Sequence, residues 1–142
     1  MTHYDDCLER MPHKGAMRLI ERITSVTDTE IHCQGVPHGD ASYPLRLDGV
    51  LYTANLVELG AQAAAAHASI GDLKGNHTGL LIALQNIDLK TPTVTDCSAP
   101  LSIIARQLHF DGNGALYDFE IRAQAQTYIS GRATLKMQGE PE

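Results

Sequence analysis

Residues 49–71, "GVLYTANLVELGAQAAAAHASIG", carry a single charged side chain, Glu58, in twenty-three positions. A helix that rests on a sheet with one face in water shows lysine and glutamate along that outer face. This stretch has no such face, so it predicts one long helix, from about Thr53 to Ile70, enclosed on several sides. Its alanines and Gly60 leave little side-chain bulk, which lets strands approach closely. A chain of 142 residues that is 43 % hydrophobic supports one core of ordinary size, and residues 1–142 read as a single domain.

The flanking segments supply the enclosure. "MRLIERITSVTDTEIHCQGV" is rich in β-branched residues and broken at 27–30 by a polar "TDTE", which predicts two strands or one bent hairpin. Residues 37–49, "PHGDASYPLRLDG", hold two prolines and two glycines and read as irregular. After the glycines of "GDLKGNHTG" come three strand-like runs, "LLIALQNIDLKT", "LSIIARQLHF" and "LYDFEIRAQAQTYISGRATLKMQ", the last long enough for two strands. "DGNG" between the second and third is hairpin-turn chemistry. One helix against five or six antiparallel strands is an α+β domain with the sheet curved around the helix.

A net charge of −6 and the lack of a lysine/arginine cluster argue against a nucleic-acid partner. Asn55, Glu58 and Gln62 interrupt the only candidate membrane span. The opening "MTHYDDCLER" has no secretory pattern, which makes the cytoplasm the expected setting. Cys7, Cys33 and Cys97 are odd in number and widely spaced, so reduced thiols are expected, with no metal site and no cofactor.

Burying an ionised carboxyl without partners is costly, so Glu58 must find hydrogen bonds or take up a proton. Asn55, Glu58 and Gln62 lie three and four residues apart and share a helix face, the pattern of a pocket lining that binds substrate. The same residues admit a structural reading, in which "NLVE" is a capping box with Asn55 as N-cap. Acid–base work near neutral pH calls for a histidine beside the carboxyl. Of seven, His67 falls off the Glu58 face, and His13 in "RMPHKGAMRLIERI" and His38 in "GVPHGD" remain as candidates.

"MPHKGAMRLIERITSVTDTEI", "PLRLDGVLYTANLVELGAQAAAAH" and "LLIALQNIDLKTPTVTDCSAPLSIIARQL" together resemble the hot-dog fold dehydratases that act on 3-hydroxyacyl thioesters of acyl carrier protein. The likeness is nearest to the aryl-polyene branch, with its Pro-His opening and "E-x-x-A-Q" helix, and runs over residues of about 10–137. It implies a hot-dog fold, a homo-oligomer or a heterodimer with a related dehydratase, and a carrier protein bearing a phosphopantetheine-linked acyl chain as partner. It places the catalytic carboxyl at Glu58, the helix glutamine at Gln62 and the opening histidine at His13. The "GHFPG" segment of fatty-acid dehydratases is replaced here by "VPHGDASYPLRLDG", so His13 is favoured as partner of Glu58 and His38 is the reserve.

The expected reaction is removal of water from a 3-hydroxyacyl thioester, with His13 as base and Glu58 as acid. Backbone N–H groups from about Tyr52 to Asn55 are placed to receive the thioester carbonyl oxygen. Two other readings stand beside it: a thioesterase on the same fold, and a non-catalytic acyl-binding partner subunit.

Overall fold

The computed structural model describes residues 19–37, 43–71, 77–95 and 99–139. Six antiparallel strands form one sheet in the order β1-β2-β6-β7-β8-β5. They are β1 (Arg22–Val26), β2 (Glu30–Gly35), β5 (His77–Leu89), β6 (Leu101–Phe110), β7 (Gly114–Ala123) and β8 (Gln126–Gly139). A separate two-stranded ribbon, β3 (Arg46–Leu47) with β4 (Val50–Leu51), precedes a 3-10 turn at Thr53–Leu56 that runs into the helix α1 (Val57–Gly71).

The alternation of side chains explains the layering. Along β7, Ala115, Tyr117, Phe119, Ile121 and Ala123 point inward and are buried, while Asp118, Glu120 and Arg122 face out. Ile103 of β6 pairs with Ile121 of β7 on one side and with Cys33 of β2 on the other, which carries the apolar face across the sheet. The helix packs against β2, β5, β6, β7 and β8, and every residue from Leu59 to Ser69 is buried. Enclosure of the helix accounts for its lack of charge.

At Gly60 the helix presses close on the sheet. A Cβ there would sit 2.3 Å from Cδ1 of Phe119, whose ring also lies against Gly131 of β8. The strand β5 bends between Gln85 and Asp88, where Asn86 takes a left-handed φ of 54° at a break in the register with β8.

Of residues 37–49, read from the sequence as irregular, 46–49 instead form β3 and the turn of the β3–β4 ribbon. Asp48 and Gly49 both have positive φ, the geometry of a two-residue hairpin turn, and the Arg46 guanidinium donates to the Gly49 carbonyl at 3.1 Å. Two prolines nearby hid a hairpin signal that the Asp-Gly pair alone carries. The turn at 111–114 is as expected: the Asp111 carboxylate accepts from the Asn113 and Gly114 amides at 3.0 and 2.9 Å, and Gly112 supplies the positive φ. No helix among the described residues is long and apolar enough to cross a membrane.

Candidate active site

The helix start is pinned from two sides. Tyr52 bridges to Thr93, the Thr53 amide donates to the Pro92 carbonyl at 3.0 Å, and the Val94 amide donates to the Leu51 carbonyl at 2.9 Å. The Thr91 hydroxyl donates to the Thr93 carbonyl, so its contact with Thr53 Oγ1 at 3.4 Å is one in which Thr53 is the donor. On the other side Asn55 Nδ2 donates to the Leu45 carbonyl at 3.1 Å.

These contacts change two expectations. The first turn opens after Tyr52, which makes no side-chain cap bond, and Asn55 sits inside that turn, so Asn55 is not the N-cap of a capping box. Its amide ties the backbone at Leu45 to the helix. The amides of Thr53 and Asn55 are both engaged, the latter with the Tyr52 carbonyl at 3.0 Å, so neither is free to receive a thioester oxygen. The 3-10 turn and the strand bridge at the same place take up these two of the donors that an ordinary helix start leaves over.

Glu58 is half-buried in the single chain and Gln62 fully buried. Gln62 Nε2 donates to Glu58 Oε1 at 3.3 Å, and Gln62 Oε1 accepts the Leu19 backbone N–H at 2.9 Å. Leu19 belongs to the run that enters β1. Next to it the Glu21 amide donates to the Gln34 carbonyl at 2.9 Å, and Gly35 lies so near that a Cβ would stand 2.9 Å from the Leu19 carbonyl oxygen. Absence of a side chain at Gly35 is what lets this run lie between β2 and the helix. Of the sequence candidates, Glu58 and Gln62 are brought together by direct contact, and Asn55 is turned to Leu45. His13 and His38 lie outside the described residues.

His67 faces a different surface of the helix, as its spacing from Glu58 requires. It is buried, with Nε2 2.9 Å from the Thr27 carbonyl and Nδ1 2.6 Å from the Tyr117 hydroxyl. A carbonyl only accepts, so Nε2 carries the hydrogen and Nδ1 accepts from Tyr117. The Tyr117 oxygen in turn accepts from Gln107 Nε2 at 2.9 Å. Burial lowers the pKa of His67 from its ordinary 6.5, against the opposing pull of the Thr27 carbonyl and the charge of Asp28. Burial likewise raises the Tyr117 hydroxyl. This chain fastens the β1–β2 turn to the helix and sheet. Its signal in the sequence was a lone imidazole in an apolar helix, which demands partners without naming them.

The neutral imidazole has a consequence for stability. Because the folded value is the lower one, the unfolded chain binds the proton first as pH falls. Stability is therefore full above about 6.5 and declines from there toward the lowered folded value. Melting temperatures between pH 7.5 and 5.5 are expected to fall, and the slope is expected to shrink in His67→Gln; equal slopes would contradict the assignment.

On the outer face of the sheet, Arg106 meets Glu30 at 3.3 Å and Arg132 meets Asp118 at 2.8 Å, a ladder of exposed ion pairs. Such pairs contribute little and are read as solvated surface. Among the described residues no group of His, Cys, Asp and Glu is arranged to hold a metal ion.

A family model described as ApeP dehydratase matches residues 6–140. In structure the chain is similar to the dehydratase heterocomplex ApeI:P from Xenorhabdus doucetiae, at TM-score 0.80 and 22 % identity, covering 94 % of this chain and 91 % of that one. It is also similar to thioesterase HI1161 from Haemophilus influenzae, at TM-score 0.65 and 18 % identity over 85 % and 80 % of the two chains. A mutant of thioesterase PA1618 from Pseudomonas aeruginosa gives TM-score 0.65 and 12 % identity over 84 % and 81 %. At these identities the structural likenesses establish the hot-dog fold. No curated protein matches the chain.

Proposed function

The chain belongs to the ApeP-like dehydratase family, and on that premise we propose that it removes water from a 3-hydroxyacyl thioester held on an acyl carrier protein, in the assembly of an aryl-polyene-type lipid. The observation that carries the reading is Glu58: one carboxyl in a helix with no other acidic residue and no lysine or arginine, held by a glutamine that is itself fixed to backbone.

His13 takes the proton from C2, which the neighbouring thioester carbonyl acidifies, and His38 is the reserve for that role. The C2–H electron pair becomes the C2=C3 double bond as the C3–O bond breaks. Protonated Glu58 gives its proton to the departing hydroxyl, which leaves as water. Return of the imidazolium proton to the carboxylate resets the pair. Asn55 and Gln62 act beside the acid, Asn55 through the Leu45 backbone it fastens. The setting proposed is the cytoplasm.

We further propose that the working unit pairs two hot-dog chains along β5, the partner being a copy of this chain or a related dehydratase; that the similar ApeI:P is a dehydratase heterocomplex supports a second chain. The strand β5 is an edge of the sheet, and Leu80, Ile82, Leu84, Ile87 and Leu89 are all exposed along it. A long, exposed, apolar edge of this kind invites pairing with another strand. Replacing Ile82 and Leu84 together by lysine is expected to reduce the mass seen by light scattering to that of one chain; an unchanged mass would contradict pairing through this edge.

The thioesterase neighbours support a second reading, in which the carboxyl activates water and a free thiol is released. Parallel assays for the enoyl product and for free thiol on one 3-hydroxyacyl thioester decide between them.

A further inference from the structure

We infer that the outer face of the sheet docks on the same face of a second copy of this chain, through the row of charges Glu30, Arg106, Asp118 and Arg132. The inference stands apart from the catalytic reading and from strand pairing at β5.

Strand register builds the row. Glu30 of β2 lies beside Arg106 of β6, Arg106 beside Asp118 of β7, and Asp118 beside Arg132 of β8. All four point away from the helix, with side-chain exposures from 33 to 58 %. The signs therefore run minus, plus, minus, plus across four strands. Within one chain Glu30 meets Arg106 at 3.3 Å and Asp118 meets Arg132 at 2.8 Å. Glu30 and Arg132 stand three strands apart, about 14 Å at roughly 4.8 Å per strand, and do not touch. Each pair alone adds little to the stability of one chain, so what distinguishes the row is its order of signs.

That order is its own complement. A half turn about an axis parallel to the strands, between β6 and β7, lays the row on itself in reverse. Glu30 then faces Arg132 of the second copy and Arg106 faces its Asp118, so every charge meets its opposite. In the two rows alongside, Glu120 and Arg122 of β7 come opposite Ile104 and Ser102 of the second copy, their own register neighbours on β6, and no like charges meet. A half turn about an axis along the row sets each charge on its own duplicate instead, so the same four residues reject that packing. The favoured turn also keeps the strands of the two sheets aligned, as face-to-face sheets commonly pack. Toward a partner of one sign the row, which sums to zero, offers as much repulsion as attraction. A copy of the chain is therefore the occupant it fits, and an acidic carrier protein is not.

At dilution the face is solvated and mass is set by β5 pairing alone; with rising concentration the mass of the wild-type protein in sedimentation is expected to climb toward double. Raising salt from about 0.1 to about 1 M, which shortens screening from about 10 to about 3 Å, is expected to abolish the climb. Glu30→Lys and Arg132→Glu each set like charges at both ends of the contact, and each alone is expected to stay at the lower mass. An equimolar mixture of the two restores opposite charges at both ends, as does the double variant in one chain, and both are expected to regain the climb. The neighbour pairs lost within each chain are the same mixed or unmixed, so recovery on mixing reports only contact between copies. Melting temperatures establish that each variant is folded. A wild-type mass that does not respond to concentration and salt, single variants as heavy as the wild type, or a mixture no heavier than its components would each overturn the inference.

Discussion

Glu58→Gln is expected to lower enoyl formation by about two to four orders of magnitude, the usual contribution of a positioned acid, while the melting temperature stays near that of the wild type. The amide is isosteric with the carboxyl, and its oxygen still accepts from Gln62 Nε2, so the contact that holds residue 58 survives. The transferable proton is lost. Glu58 is half-buried and its helix is enclosed from Leu59 onward, so a stability change is the confounding effect to measure, by urea or thermal unfolding beside the assay. Wild-type turnover by a folded Glu58→Gln protein would remove the acid role from this residue.

Gly60→Ala is expected to destabilise the protein strongly for a single added methyl group. The added carbon would lie 2.3 Å from Phe119 Cδ1 and within 2.8 Å of two further ring atoms, and the ring is only 3 % exposed. Gly131 lies near another edge of the same ring, so the ring or the helix must shift to admit the methyl group. Overpacking of this kind costs about 1–3 kcal/mol and at times more. Unfolding by urea measures it, and the double variant with Phe119→Leu is expected to recover part of the loss, since contacting sites are coupled. A Gly60→Ala protein as stable as the wild type would show that the helix does not sit on Phe119 as described.

Much of this architecture is legible in the residues. The run at 49–71, with its single charge, predicts an enclosed helix because a wet face would need more, and the helix is enclosed. The long segment from Leu116 onward resolves into β7 and β8, turning at Gln124 with a positive φ, as its length suggests. What escaped was set by contacts distant in sequence. The polar face of Asn55, Glu58 and Gln62 reads as one pocket lining, yet two of its members spend a hydrogen bond on backbone at Leu45 and Leu19. No periodicity reports a bond across forty-three residues. The amides at the helix start looked available because the approach of residues 92–94 has no local signature. The Asp48-Gly49 hairpin was masked by its proline-rich surroundings, although its turn chemistry was present.

The most direct measurement is the product formed when the purified wild-type chain, alone and mixed with a related dehydratase chain, is given a short 3-hydroxyacyl thioester on a carrier protein. Accumulation of the 2-enoyl thioester, with the thioester bond intact, is the outcome expected of Glu58 acting as an acid on the 3-hydroxyl. Release of free thiol without any enoyl product, or no reaction in either mixture, would contradict it.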